Sequence, residues 1–291
     1  MRPDQDTRTT DMRLSLATEP SSPSRPNEDF VGVTSGAVVL LDGAGTPGGM
    51  ESGCSHGVAW YARMLGSTLL AEVTQSAAPL TELLTRSIKT VASLHDFTCD
   101  LTHPGTPSAT VAMLRRTDDS LEWLVLADSV IILDTGTAEP TMLTDDRLER
   151  IGALHRAELY ALPNGTPEHT EALRRYIEVM NGHRNREGGF WTASADPLAA
   201  EQSLTGTVPA DQVRAAALLS DGASRLTDLF GLATWRQLLN LLANDGPQEL
   251  ITRVRAAEHE DPQGARWPRP KTHDDATAAF WPFRHRDLTG R

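Results

Sequence analysis

Ala37-Val38-Val39-Leu40-Leu41 runs without a break into Asp42-Gly43-Ala44-Gly45-Thr46-Pro47-Gly48-Gly49. Five consecutive apolar residues predict a strand buried on both faces. The loop that ends it has almost no side-chain bulk, so a carboxylate is delivered at the end of a buried strand, where functional loops concentrate. The same juxtaposition recurs twice. Ala127-Asp128-Ser129 separates the apolar runs Leu121–Leu126 and Val130–Leu133, and Ser220-Asp221-Gly222 closes Val213–Leu219. Two acidic doublets flank further strand candidates, Glu28-Asp29 before Phe30–Val33 and Asp274-Asp275 at the head of a last strand, Asp275–Phe283. Asp-Gly and Asp-Ser are ordinary turn pairs, so each alone reads as a turn. The ordered set asks for more. Carboxylates that converge without basic partners repel one another, and a divalent cation is the simplest stabiliser. Oxygen donors suit Mg²⁺ or Mn²⁺ rather than Zn²⁺.

Working outward, Met12–Ala17 alternates apolar and polar residues and predicts a half-buried strand. Val58–Val73 and Leu80–Leu94 have helical spacing and a short linker, giving an antiparallel helix pair. Ala109–Leu114, Leu121–Leu126 and Val130–Leu133 are spaced like a meander, with turns at Thr117-Asp118-Asp119 and Asp128-Ser129. Asp145–Tyr160 and Glu168–Met180 read as helices, Asn181–Gly189 as a polar turn region, and Ala233–Ala243 with Gln248–Ala257 as a second helical pair. Glu258–Thr272 is a Pro-rich loop. Helices grouped on either side of antiparallel strands give a layered α+β sandwich in one domain. We expect that domain over 12–284, with a flexible terminus at 1–11 and a tail at 285–291.

The 291 residues are enough for a sizeable core without staples. Lys+Arg is 27 against Asp+Glu 39, a net charge of −12, which disfavours nucleic acid as a partner. It also repels phosphoproteins at long range unless cations offset the field. No stretch is long and apolar enough for a membrane helix, and Met1–Asp11 is not a signal peptide, so we expect a cytoplasmic protein away from membranes. Two cysteines, Cys54 and Cys99, exclude a disulfide framework and a Cys-rich zinc site and fit a reducing compartment.

The acidic set resembles the protein phosphatase 2C family, the metal-dependent Ser/Thr phosphatases, from about Met12 to Phe283. Pro26-Asn27-Glu28-Asp29 resembles its first acidic motif and Val38–Gly45 its strand-Asp-Gly-x-Gly motif. Pro107-Ser108-Ala109-Thr110 resembles the strand start after the first helix pair, and Ala127-Asp128-Ser129 the Gly-Asp-Ser turn. Leu218–Gly222 resembles the Ser/Thr-Asp-Gly motif, and Asp274-Asp275-Ala276-Thr277 the closing acidic motif. Six short motifs in the right order make a specific signal. The resemblance implies a four-layer α/β/β/α sandwich with two central antiparallel sheets. It implies that Asp42 bridges two metals, that the Gly43 carbonyl joins one of them, and that Glu28 binds the second. Asp221 and Asp274 would bind the first, Asp29 would hold water at the metals, and Asp128 would help Asp221 bind a weaker third ion. Asp42, Asp221 and Asp29 would carry catalysis, with two or three Mn²⁺ or Mg²⁺ ions activating water for in-line attack and neutralising the phosphoryl oxygens.

Three positions depart from that pattern. Ala44 stands where eukaryotic members often carry a His, a proposed general acid. Arg25 is one place off the usual spacing of the phosphate-binding Arg, and Pro26 biases it to an extended conformation. Ala127 replaces the Gly before Asp-Ser, which costs little unless the backbone there needs positive φ. His56, weighed as a proton donor, reads rather as a helix-start residue with a satisfied hydrogen bond. Cys54 reads as a small packing residue. Cys99 and His103 lack ligand-spaced partners and read as structural. Asn181–Trp191 (NGHRNREGGFW) is basic, glycine-rich and aromatic, and reads as a flap beside an acidic site.

The leading expectation is therefore a monomeric phosphatase acting on phosphoserine or phosphothreonine in proteins. The alternative is a catalytically weak or inactive module that binds a phosphoprotein or partner, motivated by Ala44, Ala127 and Arg25. A third reading keeps hydrolysis but changes the substrate to a small phosphate ester.

Overall fold

Apolar strands that are buried on both faces must be covered twice, and two stacked sheets between helix pairs achieve this. The computed structural model describes residues 14–46 and 50–283. The expected terminal segments 1–11 and 285–291, the start of the first strand at Met12, and Pro47-Gly48-Gly49 lie outside the described residues. One sheet has the order β1 (Ser15–Glu19), β10 (Ala276–Pro282), β9 (Ala215–Leu219), β6 (Val130–Asp134), β7 (Thr141–Leu143). The other has β2 (Phe30–Val33), β3 (Ala37–Ala44), β4 (Ser108–Arg116), β5 (Ser120–Leu126), β8 (Leu204–Pro209). Every pairing in both sheets is antiparallel.

Period-two alternation divides each strand's side chains between two cores. Val38 and Leu40 of β3 face inward with Ala112, Leu114, Ile131, Leu133, Ala216, Leu218 and Trp281, filling the space between the sheets. Val39 and Leu41 face outward and pack with Tyr61, Leu65 and Leu69 of α1 (Val58–Gln75) and Leu83, Leu84 and Ile88 of α2 (Leu80–His95). On the other side Ala217, Leu219 and Ala278 pack with α6 (Asp221–Asp228), α7 (Trp235–Asn244) and α8 (Pro247–Glu260) through Leu226, Leu238, Leu250 and Val254. The expected four-layer α+β sandwich is the observed one.

The expected meander is corrected. β4 and β5 form a hairpin, but β6 pairs with β9 and β7 in the opposite sheet. The Asp128-Ser129 turn is a crossover between sheets, and Ala127 takes φ 64° to make it. Three elements escaped the sequence reading: the short edge strand β7, the largely exposed edge strand β8, and α6, which starts directly at the end of β9. The helix expected over Asp145–Tyr160 starts later and breaks into α3 (Arg147–His155) and α4 (Ala157–Tyr160), while α5 (Pro167–His183) runs past Met180. Among the described residues no helix is long and apolar enough to cross a membrane.

Candidate functional site

The sandwich converges its carboxylates from both sheets. Asp42 sits near the end of β3, opposite Thr110 of β4. Asp221 is the first residue of α6, and its backbone N–H donates to Asp42 Oδ2 at 3.2 Å, joining one sheet to the other. Asp274 precedes β10. Close backbone approach makes this possible. A Cβ at Gly222 would collide with the Asp275 carbonyl, and one at Gly43 with the Glu28 carbonyl and Val58. Asp275 is a brace: its two carboxylate oxygens accept from the Ser21 and Glu28 backbone N–H groups, both at 2.6 Å, fixing the Glu28-Asp29 segment against β10.

The electrostatics of the cluster are uneven. Asp29 is buried, and neither of its carboxylate oxygens has a hydrogen-bond partner. Burial pushes it up to about 8, a rise that the Thr277 and Ser220 hydroxyls oppose and the charges of Asp275 and Asp221 support. Asp42 is raised well above the carboxylate range by burial and by Asp221, Asp29, Asp274 and Asp128. Burial and Asp221 bring Asp128 up to about 7. Burial and Asp274 raise Asp221, and burial also raises Glu28, against the pull of Lys271. Asp274 alone of the set is lowered. Burial acts against it, but Lys271 and Arg225 outweigh that.

Sequence reasoning missed both of these cations. Lys271 Nζ lies 2.9 Å from Asp274 Oδ1. Arg225 Nη2 lies 2.8 Å from Asp274 Oδ2, and its Nη1 lies 2.7 Å from Oε1 of Glu258, which is fully buried. Arg225 follows Asp221 by four residues, one helical turn on, and Lys271 precedes Asp274 by three. Those spacings are the available signal, but α6 itself was not recognised. Asp228, also on α6, is raised by burial and accepts from Ser224 Oγ at 2.5 Å.

The structure thus brings together Asp42, Asp221, Asp274, Asp29, Glu28 and Asp128. Arg25 is exposed at the rim, near enough for its charge to favour ionised Glu28. Ala44 lies opposite Ser108, whose hydroxyl donates to the Ala44 carbonyl at 3.2 Å. His56 is not part of this cluster as described by its contacts: its Nδ1 faces the Cys99 and Cys54 thiols.

The first three residues of the Asn181–Trp191 segment end α5, against the expected turn region, and the rest is a tight loop. Arg184 bridges to Phe190, Asn185 takes φ 51°, and the Asn185 side chain accepts from the Thr192 N–H at 2.8 Å. Arg184 turns inward, donating to Ser108 Oγ at 3.0 Å and to the Pro104 carbonyl. Beside this loop a cleft of about 720 Å³ is lined by Arg147, Arg150, Ile151, Glu187, Trp191 and Gln202. Arg147 clamps Asp145, whose charge in turn helps raise Asp128.

A set of oxygen donors, converged, buried and short of counterions, fits hard divalent cations. The unpartnered Asp29 oxygens are the clearest sign, because a buried carboxylate with no partner is costly.

Comparison with known proteins agrees with this architecture. A bacterial serine phosphatase superposes with a TM-score of 0.58 at 14% identity, covering 95% of this chain and 100% of that one. The serine/threonine phosphatase Stp1 from Staphylococcus aureus gives 0.58 at 13% identity, covering 98% and 100%. The catalytic domain of the serine threonine protein phosphatase PstP, solved in complex with two manganese ions, gives 0.56 at 14% identity, covering 93% and 97%. At these identities the likeness is one of fold. No curated protein matches the sequence. The family model for protein phosphatase 2C matches residues 21–254, most of the chain, and the chain belongs to the protein phosphatase 2C family.

Proposed function

We propose that the protein hydrolyses phosphoserine and phosphothreonine in proteins at a two-metal carboxylate centre loaded with Mn²⁺ or Mg²⁺. The supporting observation is the meeting of Asp42, Asp221, Asp29, Glu28 and Asp128, whose acidity the cations among the described residues, Lys271 and Arg225 included, do not restore. Asp42, the Gly43 carbonyl, Glu28, Asp221 and Asp274 would hold the two ions. Asp128, with Asp221, would complete a weaker third position. When bound, the divalent ions supply an ionised water at neutral pH and neutralise charge on the phosphoryl oxygens.

The chain's own residues set the rest. Asp29, poised without a hydrogen-bond partner, is placed to accept from a water in the centre. Arg225 and Lys271 fix the Asp274 carboxylate by two ion pairs. Arg25 offers a guanidinium fork to the substrate phosphate from the rim. Ala44 has no proton to give, so the leaving alkoxide would be protonated by water or by another residue. The net negative charge repels phosphoproteins at long range, and the cleft beside Trp191 would take a peptide segment flanking the phosphorylated residue. We infer a monomer working in the cytoplasm as one domain over 12–284.

The test is release of p-nitrophenol from its phosphate ester with Mn²⁺, with Mg²⁺ and with EDTA, beside Asp42→Asn. Activity that requires both the metal and Asp42 supports the hydrolase. Metal binding without turnover of this ester or of a phosphopeptide panel would replace it with the phosphoprotein-binding module.

A further inference from the structure

A second cluster of ligating side chains lies outside the carboxylate centre. The α1–α2 hairpin is joined at one end by its linker, residues 76–79. At its open end, the loop before α1 carries Cys54 and His56, and the end of α2 carries His95 followed by Cys99. Their donor atoms all lie within 4.8 Å of one another. Cys54 Sγ is 3.5 Å from Cys99 Sγ, 3.6 Å from His95 Nδ1 and 3.9 Å from His56 Nδ1. Cys99 Sγ is 3.3 Å from His56 Nδ1. A tetrahedral ion with metal–sulfur bonds of about 2.3 Å and metal–nitrogen bonds of about 2.0–2.1 Å separates its ligands by about 3.3–3.8 Å. Four of the six separations are therefore close to the edges of such a tetrahedron, and the other two are no longer than 4.8 Å. Both cysteines are free thiols.

The surroundings hold these four side chains in place. His95 is buried, and Trp60, in the first turn of α1, stacks on the His56 ring at 4.3 Å and lies 4.9 Å from the His95 ring. The Asp100 N–H donates to the Gly53 carbonyl at 2.7 Å, bringing the two ligand-bearing segments side by side. Gly53 takes φ +69°, and a Cβ there would collide with His103 and crowd the Asp100 carbonyl, so this approach needs glycine.

We propose that Cys54, His56, His95 and Cys99 bind a structural Zn²⁺ ion that closes the open end of the α1–α2 hairpin. Two thiolates and two imidazoles select zinc over the hard ions suited to the carboxylate centre. Four protein ligands leave no open position, which marks the site as structural rather than catalytic. The sequence reading of Cys54 as a packing residue and of Cys99 as lacking ligand-spaced partners is corrected by this clustering. The ion clamps residues that are 45 apart in the chain. It also pins the turn Asp100–Pro107, which leads into β4 where Thr110 pairs with Asp42. The proposal stands independently of the phosphatase reading.

The decisive experiment uses the full chain without a histidine tag, purified under reducing conditions and passed over a mild chelating column. Elemental analysis should find about one zinc per chain, retained in Asp42→Asn and lost in the Cys54→Ser/Cys99→Ser double variant. Exchange into Co²⁺ should give the visible bands of tetrahedral cobalt together with thiolate charge-transfer absorption. Those cobalt bands decide the matter in the unaltered chain if the double variant fails to fold. Stripping the zinc should lower the melting temperature. Zinc retained by the double variant, the absence of both zinc and a thiolate–cobalt spectrum after supplementation, or a Cys54–Cys99 disulfide in place of two titratable thiols would each overturn the proposal.

Discussion

Two sides of the carboxylate centre are built from the same side chain and behave oppositely. Asp274 lies between Arg225 and Lys271 and is held below the usual carboxylate range. Asp29, Asp42 and Asp128, brought in from the other sheet and from the crossover, have no such ion pair among the described residues and are driven upward by burial and by neighbouring carboxylates. The difference shows what the protein neutralises for itself and what it leaves to the solution. One side is an internal ion-pair network that fixes geometry, and the other is a charge deficit that a divalent cation fills.

The largest expected effect comes from removing the charge that the two sheets share. Asp42→Asn should lower metal-dependent turnover by roughly a thousandfold, about 4 kcal/mol in the barrier, while leaving the circular dichroism spectrum unchanged. Near-normal activity would break the assignment of Asp42 to the metals. Next is the self-neutralised side. Arg225→Met removes a partner from both Asp274 and the fully buried Glu258, although Glu258 retains Arg255 at 2.7 Å. Unpairing buried charge should destabilise the fold by about 3 kcal/mol, readable in urea denaturation. A loss below about 1 kcal/mol would show that the network contributes little.

A pH series sharpens the comparison further. In EDTA, Asp29 and Asp128 hold protons in the folded state up to about 8 and 7, against 3.8 as the ordinary value. Between those limits the folded state binds more protons than the unfolded state, so stability falls as pH rises, by up to about 1.4 kcal/mol per pH unit for each uncoupled group. Asp274 has the opposite sign: its contribution is present above its ordinary value and is lost as pH falls through its lowered one. Melting temperature without metal should therefore decline from pH 5 to pH 8, and saturating Mn²⁺ should flatten the decline. A metal-free profile that rises across that window would contradict the charge deficit.

The smallest expected effect is at the crossover. Ala127 occupies the left-handed region, where its Cβ costs about 1–2 kcal/mol. Ala127→Gly relieves that strain but gives up a buried methyl and some chain stiffness of comparable size. Stability should shift by less than about 1 kcal/mol in thermal denaturation. A larger gain would mean that the strain around Asp128 is stored rather than offset.

What was legible from sequence follows from how local each signal is. Asp42 and Asp221 stand out because an apolar strand meets Asp-Gly within a few residues, and β3 and β9 lie where their apolar runs place them. β6 has an equally clear run, yet its sheet could not be assigned. Pairing depends on where the chain goes after Asp128, and a left-handed Ala is invisible in sequence. β8 reads poorly because Leu204-Thr205-Gly206-Thr207-Val208-Pro209 is an exposed edge with no buried stripe. α6 was hidden because Asp221-Gly222 resembles a turn, although it begins a helix, and Arg225 was hidden with it. The sequence reading passed over the Cys-x-His pair Cys54/His56 and the His-x₃-Cys pair His95/Cys99, because each is only half a ligand set. What joins them is the hairpin between, which returns His95 and Cys99 to Cys54 and His56.

The central claim is that the unneutralised carboxylates bind divalent cations, and titration calorimetry with Mn²⁺ tests it most directly. The chain would be freed of carboxylate-bound metal and titrated near pH 7 in buffers of different ionisation enthalpy. We expect saturable binding with net proton release, because carboxylates raised to about 7 and 8 must release their protons to the buffer as the ion binds, and loss of both signals in Asp42→Asn. Binding without proton release, or release that persists in Asp42→Asn, would contradict it.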